Sequence, residues 1–62
     1  GLWASALVLF HNHPSGSLAP SKEDKQITNK IKKALSSMEI RLLDHLILGN
    51  NAYYSFADEA II

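Results

Sequence analysis

An almost unbroken apolar run near the start of the chain sets the strongest limit on its fold. Residues 3–10 read Trp-Ala-Ser-Ala-Leu-Val-Leu-Phe, and the run ends at His11. Successive side chains of a strand point to opposite faces, so apolar residues at both parities predict a strand that is covered on both sides. A packed layer is therefore needed against each face of this strand.

The small size of the chain makes that requirement hard to meet. A domain of 62 residues buries only about 60% of the surface that its unfolded chain exposes, so it commonly needs disulfides, a metal or a partner. The chain has no cysteine, which excludes disulfides and suits a reducing compartment, so we expect a cytoplasmic protein. No apolar run approaches the roughly 18 residues of a membrane span, and no signal peptide is visible. Because the sequence opens on Gly1, directly before the apolar run, we expect its natural start to lie upstream.

A single amphipathic helix is predicted in the middle of the chain. It follows a loop at residues 14–20 that has proline at each end and glycine inside. Ser21 has the pattern of a helix N-cap with acidic residues in the next turn, and the helix is predicted over residues 22–37. One apolar stripe recurs at helical spacing, formed by Ile27, Ile31, Ala34, Leu35 and Met38.

Two further strands are predicted after the helix, over residues 40–48 and 52–56, with a Gly-Asn-Asn turn between them. The tail, residues 57–62, has room for one helical turn. The first two strands flank the helix and should lie parallel, and the third should pair antiparallel with the second. This is an α/β fold of β-α-β-β order, in which one helix covers only one face of the sheet. The first strand presents Trp3, Leu7 and Leu9 on one face and Ala4, Ala6, Val8 and Phe10 on the other. We expect a homo-oligomer (a dimer) or a missing N-terminal half to cover whichever face the helix leaves exposed.

The charges are unevenly placed although the formal net charge is zero. Residues 22–33 carry five lysines against Glu23 and Asp24, a balance of +3, and one arginine against four acids gives −3 elsewhere. Domains that bind nucleic acids are normally strongly basic overall. The lysines therefore predict a solvated helix face more than a DNA-binding surface.

Three side chains with metal-binding chemistry are predicted to meet at the carboxyl end of the first strand. His11 and His13 are two residues apart, so both imidazoles should point to the same side, and Asp24 lies in the first turn of the helix. Two histidines and one carboxylate are the ligand count of a catalytic zinc site with a fourth position left open. Taken singly, a histidine that ends a strand is more often a turn residue, and Ser21 with Asp24 has the pattern of a capping box. Their combination favours metal binding.

The string His11-Asn12-His13-Pro14-Ser15-Gly16, with Pro20-Ser21 and Asp24, resembles the JAMM motif of the RadC family. The resemblance continues through Ile27-Thr28, Leu43-Asp44-His45, Gly49 and Tyr54-Ser55-Phe56, and covers essentially the whole chain as one truncated domain, residues 1–62. It implies a part of a cytidine-deaminase-like three-layer fold that holds one zinc ion through His11, His13 and Asp24. It also implies that Ser21 assists catalysis at the oxyanion, in a metalloprotease-type hydrolysis of peptide or isopeptide amides.

One part of the JAMM pattern is expected to lie outside this chain. The family uses a glutamate on an upstream segment as general acid/base, and the residues of this chain that precede His11 include no glutamate. Proton transfer of this kind contributes typically 10²–10⁴-fold, so the chain by itself should be a poor enzyme.

Other interpretations of the same residues remain open at this level. RadC-like proteins carry a DNA-repair label, so the alternative function is a non-catalytic DNA-repair-associated or protein-interaction module. A third interpretation is a structural fragment that binds no metal. The letters His-Asn-His also occur in the name of a nuclease motif, but those residues are dispersed along a ββα unit. Asp44 and His45 either orient a ligand imidazole or make local hydrogen bonds at a strand edge.

Overall fold

The computed structural model describes residues 3–13 and 17–62. Pro14 to Gly16, where the predicted loop begins, lie outside the described residues. The sheet has the order β1-β2-β3, with β1 parallel to β2 and β2 antiparallel to β3. The predicted α/β fold of β-α-β-β order is therefore confirmed. Its elements are β1 (Ser5–Asn12), α1 (Lys22–Ser37), β2 (Ile40–Leu48) and β3 (Tyr53–Ser55).

The helix begins and ends where the sequence predicts, because both ends carry specific signals. At its start, the Ser21 hydroxyl accepts from the backbone N–H of Asp24, and the Asp24 carboxylate accepts from the backbone N–H of Ser21. This reciprocal capping box satisfies two amide groups that have no partner within the helix. At its end, the backbone N–H groups of Met38 and Glu39 donate to the last turn, and Glu39 has a φ of 59°.

The inward face of α1 differs from the predicted stripe. Asp24 and Thr28 are buried, whereas Ile27 and Met38, two members of the predicted apolar stripe, are exposed and do not form the packed face. Ala34 is also exposed, and the other inward positions are held by the half-buried Ile31 and Leu35. The helix is turned so that two polar residues face the sheet at i and i+4 spacing.

The first strand is displaced by two residues from the predicted run at 3–10. Ser5 is the first residue to pair with β2, opposite Ile40, and pairing continues through Asn12, opposite Leu48. The displacement has a physical cause, since hydrogen bonding to β2 and not apolarity alone decides where a strand ends. The predicted strand at 52–56 is likewise shortened to Tyr53–Ser55, and residues 56–60 form turns after it.

A bulge in β2 sets which residues face the helix. Leu7 pairs with Leu42 but Val8 pairs with Asp44, so Leu43 is an extra residue in β2. Because the side-chain period of a strand is two, one extra residue reverses the orientation of all that follow. His45 and Ile47 consequently lie on the same face as Leu42, towards α1.

The apolar core is small and lies on one side of the sheet. Among the described residues the buried apolar side chains are Leu42, Ile47 and Phe56, all on or next to β2 and β3. Within the described residues no helix packs on the opposite face of the sheet, which carries Phe10, 66% exposed. No helix in the described part of the chain is long and apolar enough to cross a membrane.

Candidate metal centre

The end of β1 and the start of α1 bring three candidate ligands together. His11 is near the end of β1, and the backbone N–H of His13 donates to the Leu48 carbonyl at 3.1 Å, which prolongs the pairing by one residue. Asp24 is fixed in the first turn of α1 by the capping box. Candidate ligand atoms of His11, His13 and Asp24 lie within 4.8 Å of one another.

The distances within this cluster suit a small divalent cation. His11 Nδ1 lies 3.5 Å from Asp24 Oδ1, and His13 Nε2 lies 3.3 Å from Asp24 Oδ2. Ligands of a tetrahedral zinc ion, each about 2.0–2.1 Å from the metal, are about 3.3–3.4 Å apart. Both contacts are longer than an ordinary N–H···O hydrogen bond. Two imidazoles and one carboxylate are a donor set that suits zinc, and these two contacts are close to the spacing between zinc ligands.

The hydrogen bonding of His13 determines which of its ring nitrogens faces Asp24. Its Nδ1 lies 2.8 Å from the Ser17 carbonyl oxygen, which can only accept, so Nδ1 carries the proton. Nε2 then faces the carboxylate of Asp24 at 3.3 Å. In a neutral imidazole that atom has a lone pair, and two electron-rich atoms repel each other at this distance. A proton or a metal cation between Nε2 and Asp24 removes the repulsion.

The carboxylate of Asp24 is held in its charged form. The backbone N–H of Ser21 does most to lower the pKa of Asp24, burial opposes it, and the Ser21 hydroxyl and the two histidines lower it further. The Asp24 side chain is 12% exposed, against 16% for His13 and 40% for His11. The cluster is thus a shallow site that is open to solvent on the side of His11.

A fourth side chain, the buried His45, lies beneath the cluster. Its ring stacks on Phe56, with centroids 4.6 Å apart, and lies nearly parallel to His11 at 5.9 Å. Its Nδ1 is 2.6 Å from the Thr28 hydroxyl. Burial lowers the pKa of His45 and the neighbouring His11 adds to this, while Asp24 and Asp44 oppose it. The ring is therefore favoured in its neutral form.

Comparison with known proteins decides the family. The sequence profile of the RadC-like JAB domain matches residues 2–61, nearly the whole chain. The chain belongs to the RadC-like JAB domain family.

Curated relatives agree with this assignment. The chain is 57% identical over 58 residues to a "UPF0758 protein" of Flavobacterium johnsoniae, with 94% of the chain and 25% of the relative covered. It is 55% identical over 56 residues to one of Actinobacillus succinogenes (90% and 26% covered) and 52% identical over 60 residues to one of Porphyromonas gingivalis (95% and 26% covered). The chain spans about a quarter of the length of these relatives.

Asp44 and His45 of this RadC-family chain are neighbours in sequence but make different contacts. Asp44 accepts hydrogen bonds from the backbone N–H groups of His45 and Ala57 and from the Ser55 hydroxyl, at 2.7, 3.0 and 2.5 Å. Only the bond from the His45 amide is local; the other two come from residues 11 and 13 positions away, and β2 is the central strand and not an edge. His45 alone contacts a candidate ligand, through its stack with His11.

Thr28 is the site residue that the sequence interpretation did not single out. Its hydroxyl joins the Asp24 carbonyl oxygen and His45 Nδ1, each at 2.6 Å. A signal was present: Asp24 and Thr28 lie four residues apart and so share one helix face. Two polar residues on an inward face are unusual unless they serve a site, but the position of His45 depends on the bulge at Leu43.

Proposed function

We propose that this chain holds the metal site of a zinc-dependent hydrolase of the JAMM type that cleaves peptide or isopeptide amide bonds. The observation that supports the proposal is the convergence of His11, His13 and Asp24, whose candidate ligand atoms lie within 4.8 Å of one another. In this proposal the three side chains hold one zinc ion. A bound zinc ion would supply Lewis-acid activation of water and of the substrate carbonyl group.

The remaining roles are assigned to the protein's own groups. The Ser21 oxygen accepts from the Asp24 amide, so in our proposal its hydroxyl proton donates to the oxyanion that develops on the substrate. Glu23 cannot easily act as the general base, because adjacent helix residues point about 100° apart and Asp24 faces the cluster. We propose that the required glutamate belongs to another part of a longer protein, which folds with this segment into one domain and acts in the cytoplasm.

Metal content of the purified chain tests the central claim. We expect about one zinc ion per chain by elemental analysis, from the ligand count of a catalytic site. His13→Ala should abolish binding, and acidification should release the ion because protons compete for the imidazoles. Asn12→Ala is the matched control, since Asn12 lies between the two histidines on the opposite face of β1 and is exposed. A wild-type chain that neither contains zinc nor takes it up on titration at neutral pH contradicts the proposal.

Activity is tested separately on a longer protein that contains this segment. We expect amide hydrolysis that a chelator removes and zinc restores, with a rate 10²–10⁴-fold higher than that of the 62-residue chain, the usual contribution of a general acid/base. The alternative, a non-catalytic DNA-associated module, has one supporting observation, the exposed lysines of α1. Salt-dependent DNA binding without chelator-sensitive hydrolysis would favour it.

A further inference from the structure

We propose that His45 and Thr28 are positioning residues that fix the candidate ligands His11 and Asp24 relative to each other. The proposal rests on the proposed zinc site, because positioning has meaning only if these ligands bind a metal. It assigns a function to a buried imidazole and a buried hydroxyl that form no part of the ligand set itself.

His11 is the ligand that most needs external support. His13 is oriented by its hydrogen bond to the Ser17 carbonyl, and Asp24 by the capping box. Within residues 3–13 and 17–62, the imidazole of His11 makes no hydrogen bond that would fix its ring plane. Ligand histidines almost always have such a partner on the other ring nitrogen. The ring of His11 is also 40% exposed, so packing on its solvent side constrains it little.

A column of aromatic rings supplies the missing support. Phe56 is fully buried, His45 stacks on it at 4.6 Å with an interplanar angle of 22°, and His11 follows at 5.9 Å and 25°. Each ring lies within 25° of parallel to the next, so the plane of His11 follows the plane of His45. His13 meets His11 edge-on at 4.6 Å, which limits rotation from the side.

Thr28 fixes the middle ring of the column and connects it to the second ligand. A threonine hydroxyl has one hydrogen, which Thr28 donates to the Asp24 carbonyl oxygen at 2.6 Å. Its oxygen must then accept from His45 Nδ1–H, also at 2.6 Å, and this sets the tautomer of His45. One buried hydroxyl thus links the helix turn that bears Asp24 to the ring beneath His11.

Substitution of Thr28 tests the link. Thr28→Val keeps the shape and removes both hydrogen bonds, whereas Thr28→Ser retains the hydroxyl. With zinc as the probe, in competition with a chromophoric chelator, we expect Thr28→Val to weaken binding about 10–100-fold, the usual effect of losing a group that orients a ligand. Thr28→Ser should restore binding to within a few fold. Ser37→Ala is the control, since Ser37 makes a comparable side-chain bond to the Ala34 carbonyl at the far end of the helix.

Two substitutions of His45 distinguish the contribution of its ring stack to zinc binding from that of its hydrogen bond. His45→Phe keeps a flat ring, and His45→Asn keeps a donor near the place of Nδ1 but loses the stack. We expect His45→Asn to weaken zinc binding about 10–100-fold and His45→Phe to weaken it less. Circular dichroism of the metal-free variants identifies loss of folding, and nitrogen NMR of His45 reports its tautomer in wild type and Thr28→Val.

The outcomes distinguish this inference from the proposed function. A wild-type chain that binds no zinc overturns the metal site and the inference with it. A wild-type chain that binds zinc, together with folded Thr28→Val and His45→Asn chains that bind it equally well, overturns the inference and leaves the metal site intact. Unchanged nitrogen shifts of His45 in Thr28→Val would separately contradict the assigned hydrogen bond.

Discussion

At the scale of single residues, several side chains in this protein perform two tasks. Asp24 completes the helix cap and faces both histidines, and Thr28 bonds to its own helix and to β2. Capping could be predicted from the sequence, because its partners are three residues apart. The link from Thr28 to His45 spans 17 positions and could not be predicted.

Asp44 gives a pH-dependent prediction at the same scale. Burial alone raises the pKa of Asp44, but the Ser55 hydroxyl and the amides of Ala57, His45 and Phe56 together hold it below its ordinary value. A carboxyl group whose pKa is lower in the folded state stabilises the fold above its unfolded pKa of about 3.9, and this contribution is lost as pH falls through the folded pKa.

We therefore expect Asp44→Asn to lower the free energy of unfolding by roughly 1–3 kcal/mol at pH 7, because hydrogen bonds to a charged acceptor are replaced. The difference from wild type should shrink as the pH falls below about 4. Urea denaturation across a pH series measures it. Asp58→Asn removes a nearby exposed charge and serves as control; a difference for Asp44→Asn that is flat between pH 7 and pH 2 would contradict the role of the carboxylate.

At the scale of secondary structure elements, local signals predicted the helix and the second strand to the residue. Caps and turn residues act within a few positions, so the sequence is sufficient for them. The limits of β1, the rotation of α1 and the bulge at Leu43 depend on pairing and packing between distant segments. The same distinction applies to the candidate site. The proximity of His11, His13 and Asp24 could be predicted from their spacing, whereas His45 lies at the cluster only because of the bulge.

The junction between α1 and β2 provides a prediction about stability. Glu39 follows the helix cap with a φ of 59°, a left-handed conformation that glycine adopts without strain and other residues adopt at a cost of roughly 1–2 kcal/mol. We expect Glu39→Gly to raise the free energy of unfolding by roughly 0.5–1 kcal/mol once the greater entropy of an unfolded glycine is subtracted. Chemical denaturation of wild type and variant measures the change.

Lys33→Gly is the control for that measurement, since it should change the free energy of unfolding in the opposite direction. Lys33 is an exposed residue inside α1, where glycine lowers stability by about 1 kcal/mol. If both glycine substitutions destabilise the protein equally, the left-handed conformation at Glu39 does not carry the cost that its φ indicates.

At the scale of the whole molecule, the part of the chain that the structure describes leaves one face of the sheet without a packed helix. The helix packs on β2, and the register places Val8 and Phe10 of β1 on the other face of the sheet, paired with Asp44 and Leu46 of β2. The accessible surface is 4468 Å², whereas a compact monomer of 6.9 kDa exposes roughly 4,000 Å². Within the described residues β1 is also an edge strand, and it contains no charged residue or proline to discourage pairing.

We propose that this chain covers its open sheet face by self-association, most simply as a two-fold dimer. Sedimentation equilibrium of the wild-type chain at micromolar concentration should give at least twice the monomer mass of 6.9 kDa. Phe10→Lys places a charge on the open face and should shift the chain towards monomer, since an unpaired charge is costly to bury. Met38→Lys is the matched control, because Met38 is 57% exposed at the end of α1, away from the open face, and its variant should associate like wild type. A folded wild-type monomer, or equal association by the Phe10→Lys variant, would contradict the proposal, because the open face would then be stable in water or would play no part in assembly.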